Sequence, residues 1–376
     1  MRGIAAIVGA ALLAGCVERL PGIEGTTSLA VEITAPSELG SEAERLPDGE
    51  RVIGVSVVAR GADGLVDGGF AATVAVYAQF LGTLTPERGA PATAITIAAG
   101  AGSGEVTLPI AYGATTLWVE DATGAEATFA TGTSPTLWYR EPLLADVSRP
   151  LDEASLTALE RSPLERKQVR IEASRHGESG RLVVTGVYAQ GYTVSDVDCA
   201  ATPCATGAYD HLFVFTFGRP RSESGAAIEL GQRVAWVSGG VAEFNGFTEL
   251  SFPQTELVAA VPDEGLLPAP TVILPAWLST PIEFERVESG LVAIDGGVVC
   301  PLDDDFATYG QWKLDIGLGC GDGVNVITKG MVSEVEPAGL VGQTLPRVVG
   351  TLRAVNIGTF HVWIVMPRRL ADVSLS

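Results

Sequence analysis

The sequence predicts a mainly β chain built from successive small units. Short runs in which apolar and polar residues alternate recur along its 376 residues, which is the period of a half-buried strand. Those runs are punctuated by many of the 45 glycines and 22 prolines, the residues that turns require. Only one stretch, residues 145–162, has a helical pattern.

The amino end reads as an address. Arg2 is a charged start, Ile4 to Leu13 is an apolar run, and small residues follow, the parts of an export signal. The apolar run is far shorter than the roughly twenty residues a membrane-spanning helix needs. Leu13-Ala14-Gly15-Cys16 resembles the lipobox of bacterial lipoproteins. The resemblance implies removal of residues 1–15, a diacylglycerol (palmitate-type) modification of Cys16, and residues 16–26 as a lipidated tether. A plain secretory signal is the rival reading. Two or three acyl chains anchor firmly where one does not, at about 0.8 kcal/mol per buried methylene. Val17 stands where an Asp would mark inner-membrane retention, so the resemblance implies the outer membrane, with the body on its periplasmic or surface face.

The chain carries 24 basic and 45 acidic residues, a net charge of −21. Its lysines are Lys167, Lys313 and Lys329. Such an acidic excess repels polyphosphates and argues against general nucleic-acid binding. After Cys16 no apolar stretch approaches eighteen residues, so a soluble body is expected. Four further cysteines suit an oxidising compartment. Pairing neighbours gives Cys199–Cys204 and Cys300–Cys320, one staple in each of two units. A four-cysteine zinc site is the alternative, and it lacks C-x-x-C spacing.

From residue 27 to 144, runs such as "IGVSVVAR", "ATVAVYAQF" and "TTLWVED" are separated by turn clusters, at the spacing of an immunoglobulin-type sandwich. The order "GSGEVTLPIAYGATTLWVEDATGAEATFATG" resembles the latter half of bacterial Ig-like domains. "AAGAGSG" lacks the Gly-Lys-Ser/Thr ending of a phosphate loop and reads as a hairpin. Residues 145–162 form a linker or short helix, with Ser148 or Asp152 as its cap and Leu151, Leu156 and Leu159 on one face.

A second unit spans 163–260. Its "HLFVFTFGRP" and "GQRVAWVSGGVAEFNGFTELSF" resemble the OB-fold regions that accompany bacterial secreted nucleases. Asn245-Gly246 suits a tight type I′ turn, whose two central residues need positive φ, and Gly239-Gly240 suits a bulge. Residues 261–280 are a proline-rich connector. A third unit, 281–376, with "ESGLVAI", "YGQW" and "GTL", is similar to the second OB-type segment of the same regions. The expected architecture is therefore an Ig-like β-sandwich followed by two OB-type β-barrels.

The nuclease resemblance implies no activity here. Catalysis in those enzymes resides in a separate metal-dependent domain rich in histidine, whereas this chain has His176, His211 and His361 alone. No G-x-S-x-G elbow is present. Asp303, Asp304, Asp305 and Asp322 flank the Cys300–Cys320 loop and could offer hard oxygens to Ca²⁺; a solvated acidic loop is the plainer reading, and Asp196 and Asp198 are weaker still. Phe244, Phe247, Tyr309 and Trp312 are the aromatics expected to line a binding groove. The one basic run, Arg161, Arg166, Lys167 and Arg170, lies among Glu160, Glu165 and Glu172. The resulting expectation is a non-enzymatic lipoprotein that binds an envelope protein or glycan without a cofactor. The alternative is a nucleic-acid-binding accessory protein of a nuclease system.

Overall fold

The computed structural model describes residues 25–46, 51–80, 91–108, 111–121, 130–150, 153, 161–258, 261–332, 334–358 and 360–375. Strand makes up 48% and helix 12%, so the chain is mainly β. Residues 1–24, with Cys16, and the expected helix positions Leu151, Asp152, Leu156 and Leu159 lie outside the described residues. No described helix is long and apolar enough to cross a membrane.

The first unit contains β1 (Thr26–Ala35), β2 (Val52–Gly61), β3 (Ala72–Phe80), β4 (Thr93–Ile97), β5 (Ala101–Thr107), β6 (Ala114–Asp121), β7 (Thr131–Thr133) and β8 (Leu137–Trp138). They form two sheets, β1-β2-β5 and β4-β3-β6-β7, with β8 on β6. Alternation buries Ile53, Val55, Val57 and Ala59 of one sheet against Val74, Val76, Leu117 and Val119 of the other. "AAGAGSG" is where the chain changes sheets. Ala99 and Gly100 have φ of 51° and 81°, and the Ala98 amide donates to the Ala101 carbonyl at 3.0 Å. A Cβ on Gly100 would lie 2.4 Å from the Asp67 carbonyl oxygen, so the corner needs glycine.

A short helix, α1 (Leu144–Ser148), follows, and its Leu144 and Val147 join the core of the second unit. Ser148 is not a cap. Its hydroxyl donates to the His211 carbonyl at 2.7 Å, while Asp146 accepts from the Leu143 amide at the helix start.

The second unit contains β9 (Gln168–Ile171), β10 (Gly180–Tyr188), β11 (Gly191–Asp198), β12 (His211–Phe215), β13 (Val234–Glu243) and β14 (Thr248–Leu257), in the order β10-β11-β12-β14-β13-β9. β12 and β14 run parallel. The Val183–Arg233 bridge and the Val184 amide on the Gln232 carbonyl tie β10 back to the start of β13. The sheet thus curls into a barrel. Asn245 and Gly246, with φ of 55° and 73°, make the type I′ turn that the dipeptide demands. The bulge falls at Gly239 as expected, but its extra residue belongs to the partner strand: Ser238 and Gly240 face Gln254 and Ser251. This leaves Phe252 at a φ of 51° and three-quarters exposed.

The third unit contains β15 (Thr271–Val272), α2 (Ile282–Glu285), β16 (Leu291–Val299), α3 (Asp304–Tyr309), β17 (Gln311–Asp315), β18 (Val324–Ile327), β19 (Thr344–Ile357), β20 (Phe360–Met366) and β21 (Val373–Ser374). Its sheet order is β15-β16-β17-β18-β20-β19-β21, and an added β16–β19 pairing closes it. The proline-rich stretch is more than a connector: β15 pairs with β16, and Ile273 is buried in this core. Counting β9 and β10 as one broken strand, both barrels share the order 1-2-3-5-4-1 with strands 3 and 5 parallel.

Cys199 is bonded to Cys204 and Cys300 to Cys320, the neighbour pairing. The two barrels are bonded to each other. The Asn356 amide donates to the Asn245 carbonyl at 2.6 Å, the Tyr188 hydroxyl to the Met366 carbonyl at 3.2 Å, and Arg368 to the Thr185 carbonyl at 2.9 Å.

Candidate functional site: an aromatic groove between the barrels

In "HLFVFTF" the strand period sends Leu212 and Val214 into the barrel core and Phe213 and Phe215 to the other face. The outward rings form two groups, linked along β12 because Phe213 and Phe215 are two residues apart on one face. Tyr188 and Phe213 lie 6.4 Å apart, Phe213 and Phe247 5.2 Å, Phe215 and Phe217 5.2 Å, and Phe217 and Phe252 5.2 Å. The strip runs from fully buried Phe247 to Phe217 and Phe252, which are mostly exposed.

Ile327, Met331, Ile364 and Met366 of the third unit face this strip across a groove of about 480 Å³, within the size range of ligand pockets. Two charged side chains enter it. Glu249 sits opposite Phe213 in the parallel β12–β14 register, and burial pushes its pKa up to about 7 against the pull of Arg353. Arg353, from β19, rests its guanidinium 5.4 Å from the Phe247 ring centroid. Burial lowers its pKa, and its Nε is buried without a hydrogen-bond partner. A desolvated cation in an apolar wall favours an anionic group on whatever fills the groove.

The four expected aromatics separate. Phe244 and Phe247 flank the Asn245-Gly246 turn and both line the groove, Phe244 about half exposed and Phe247 sealed beneath it. Tyr309 is exposed at the end of α3, 6.3 Å from Phe360, away from this site. Trp312 is a core residue at 1% exposure, and its Nε1 donates to Thr328 Oγ1 at 3.3 Å. Its place in the barrel wall removes it from any groove.

The acidic loop does not assemble a calcium site. Asp303 caps α3 by accepting from the Asp305 and Phe306 amides, and Lys313 Nζ lies 2.7 Å from Asp303 and 3.6 Å from Asp305. That lysine holds the Asp303 carboxyl below the usual carboxylate range and already balances two of the four acids. Asp304 and Asp322 remain exposed. The basic run is likewise offset: Arg161 pairs with Glu165 at 3.2 Å and Arg170 with Glu172 at 2.9 Å.

His176, Asp196 and Asp210 are the only described trio with metal-like spacing. Asp210 is fully buried and already occupied. Its Oδ2 accepts from Arg175 Nη2 at 2.8 Å and from the Gly207 amide at 2.6 Å and meets His176 Nε2 at 3.1 Å, while Arg175 Nε pairs with Oδ1 as an ion pair at 2.6 Å. The guanidinium neutralises the charge that a metal would use, so the trio is a buried ion-pair network joining two loops. Burial raises the neighbouring Asp196 carboxyl. Ser195 Oγ lies 2.8 Å from His211 Nδ1, the distance of a nucleophile and its base. Both are buried, and a Cβ on Gly290 would sit 2.5 Å from His211 Cδ2. No substrate reaches that pair. Burial lowers the His211 pKa to about 4, so the ring is a neutral core group.

Arg353 and Glu249 escape a reading of the sequence because each lies in an ordinary strand pattern. They meet only when the two barrels dock. Compared with known proteins, the chain matches no protein-family model, no curated protein and no solved structure.

Proposed function

We propose that this is a lipid-anchored protein of the bacterial outer membrane, without chemistry of its own, whose body binds an envelope partner in the inter-barrel groove. The first unit is read as Ig-like, and the 1-2-3-5-4-1 strand order supports reading the other two as OB-type barrels. The observation that carries the binding reading is the aromatic groove with Arg353 desolvated in its wall. It favours a protein or glycan partner that presents an apolar group beside an anionic one. Lipidation of Cys16, with Ala14 and Gly15 before it, supplies the tether.

The anchor is tested by metabolic labelling with palmitate. The account expects label in the wild type and none in Cys16→Ser; an unlabelled wild type ends it. A nucleic-acid role is the second reading, favoured by the exposed Phe217–Phe252 end of the strip and opposed by the net charge of −21. Retention of single-stranded DNA on filters at low salt, lost on Phe217→Ala, would put that reading first.

A further inference from the structure

A second concavity, of about 480 Å³, lies wholly in the third unit and shares no residue with the groove. Trp277 comes from the turn Pro275–Ser279, Phe284 from α2, and Trp363 from β20. Trp277 meets Phe284 edge-on at 5.4 Å, and Phe284 stacks on Trp363 at 5.7 Å with planes 14° apart. Phe284 is buried, whereas both indoles are half-buried and line the concavity.

Three polar side chains, two amides and an imidazole, complete it. Asn356 and His361 are directly opposed in the β19–β20 register, so they stand side by side on one face. Asn325 is pinned by Gln311 Nε2 at 2.8 Å and by the Trp363 carbonyl at 3.4 Å. Among the described residues no Asp, Glu, Lys or Arg lines the concavity, in a chain with 24 basic and 45 acidic residues.

This composition selects a chemistry. With no lysine or arginine among its lining residues it offers no fixed positive charge to a phosphate or carboxylate. A purely apolar occupant would give no partner to the Asn356 amide and the His361 imidazole that face it. A pyranose ring satisfies both halves: its C–H face lies on an electron-rich indole face, and its hydroxyls exchange hydrogen bonds with side-chain amides that both donate and accept. We infer that this concavity is a binding site for a neutral saccharide. It extends the binding reading to a second, independent site, and its test does not depend on the groove.

The test uses the purified full-length protein with three probes: maltotriose, the N-acetylglucosamine trimer and trigalacturonate. Saturation-transfer NMR and tryptophan fluorescence report binding. The inference expects at least one neutral trimer to bind and trigalacturonate to be ignored. Trp363→Ala and Asn356→Ala each weaken the neutral sugar by at least about tenfold, while Leu65→Ala on the exposed surface of the sandwich changes nothing. Asn356→Ala removes only a side-chain amide and keeps the question open to an answer if the tryptophan variant misfolds. No binding of either neutral trimer, equal binding of the acidic one, or an unchanged affinity in Asn356→Ala overturns the inference. A chain that fails here but keeps its groove partner loses only this site.

Discussion

Arg353 of the third unit lies over the ring of Phe247 in the second, 5.4 Å from its centroid. The contact joins the two barrels, and it makes two neighbouring phenylalanines unequal. Phe247→Ala removes a sealed ring and the platform for a desolvated cation, so urea unfolding loses about 3–5 kcal/mol. Phe244→Ala, at a half-exposed position, stays within about 0.5 kcal/mol. Equal losses at both positions would show that the barrels do not dock as described.

Burial gives Glu249 a folded pKa of about 7, so between its unfolded value and pH 7 the folded chain holds a proton that the unfolded chain has released. Its contribution is present at low pH and is lost as pH rises through 7. Arg353 and Glu243 are the charged groups that face it, and Ser251 its hydroxyl neighbour. Glu249→Gln removes the titration. Relative to the wild type the variant gains on the order of 2 kcal/mol between pH 4.5 and pH 8. Parallel stability curves for the two proteins would place the carboxylate in water.

His211 has the opposite sign. Its folded pKa is depressed to about 4, so the unfolded chain takes up a proton near pH 6.5 that the folded chain refuses. This group's contribution is complete above pH 6.5 and is lost as pH falls toward 4. By NMR, the His211 ring resonances stay fixed from pH 8 to pH 5.5. A midpoint near 6.5 would mean that the ring is hydrated.

Much of the fold is legible locally. Alternation in "IGVSVVAR" places Ile53, Val55 and Val57 inward, and Asn245-Gly246 specifies its own turn because positive φ is costly for other pairs. The exposure of aromatics is not legible in this way. A strand in a closed barrel buries one face in its own core, and docking of a second barrel buries part of the other. Hence Trp312 and Phe247 are sealed while Phe244 and Tyr309 are not. The acids at 303–305 mislead for a similar reason: Lys313, in the next strand, pairs with Asp303 and Asp305.

The two disulfides close loops of different length, 20 and 5 residues apart. Loop-closure entropy ranks them, at about 3 kcal/mol for Cys300–Cys320 and about 2 kcal/mol for Cys199–Cys204. The paired Cys→Ala variants should unfold in urea in that order. A reversed order would mean that enthalpy in the shorter loop dominates.

The groove is tested most directly by photocrosslinking in intact cells, with a benzophenone amino acid at position 244 and, as a control, at exposed Leu65 of the sandwich. The account predicts a discrete light-dependent adduct from position 244 and none from position 65. Adducts from neither position, or the same adduct from both, would contradict it.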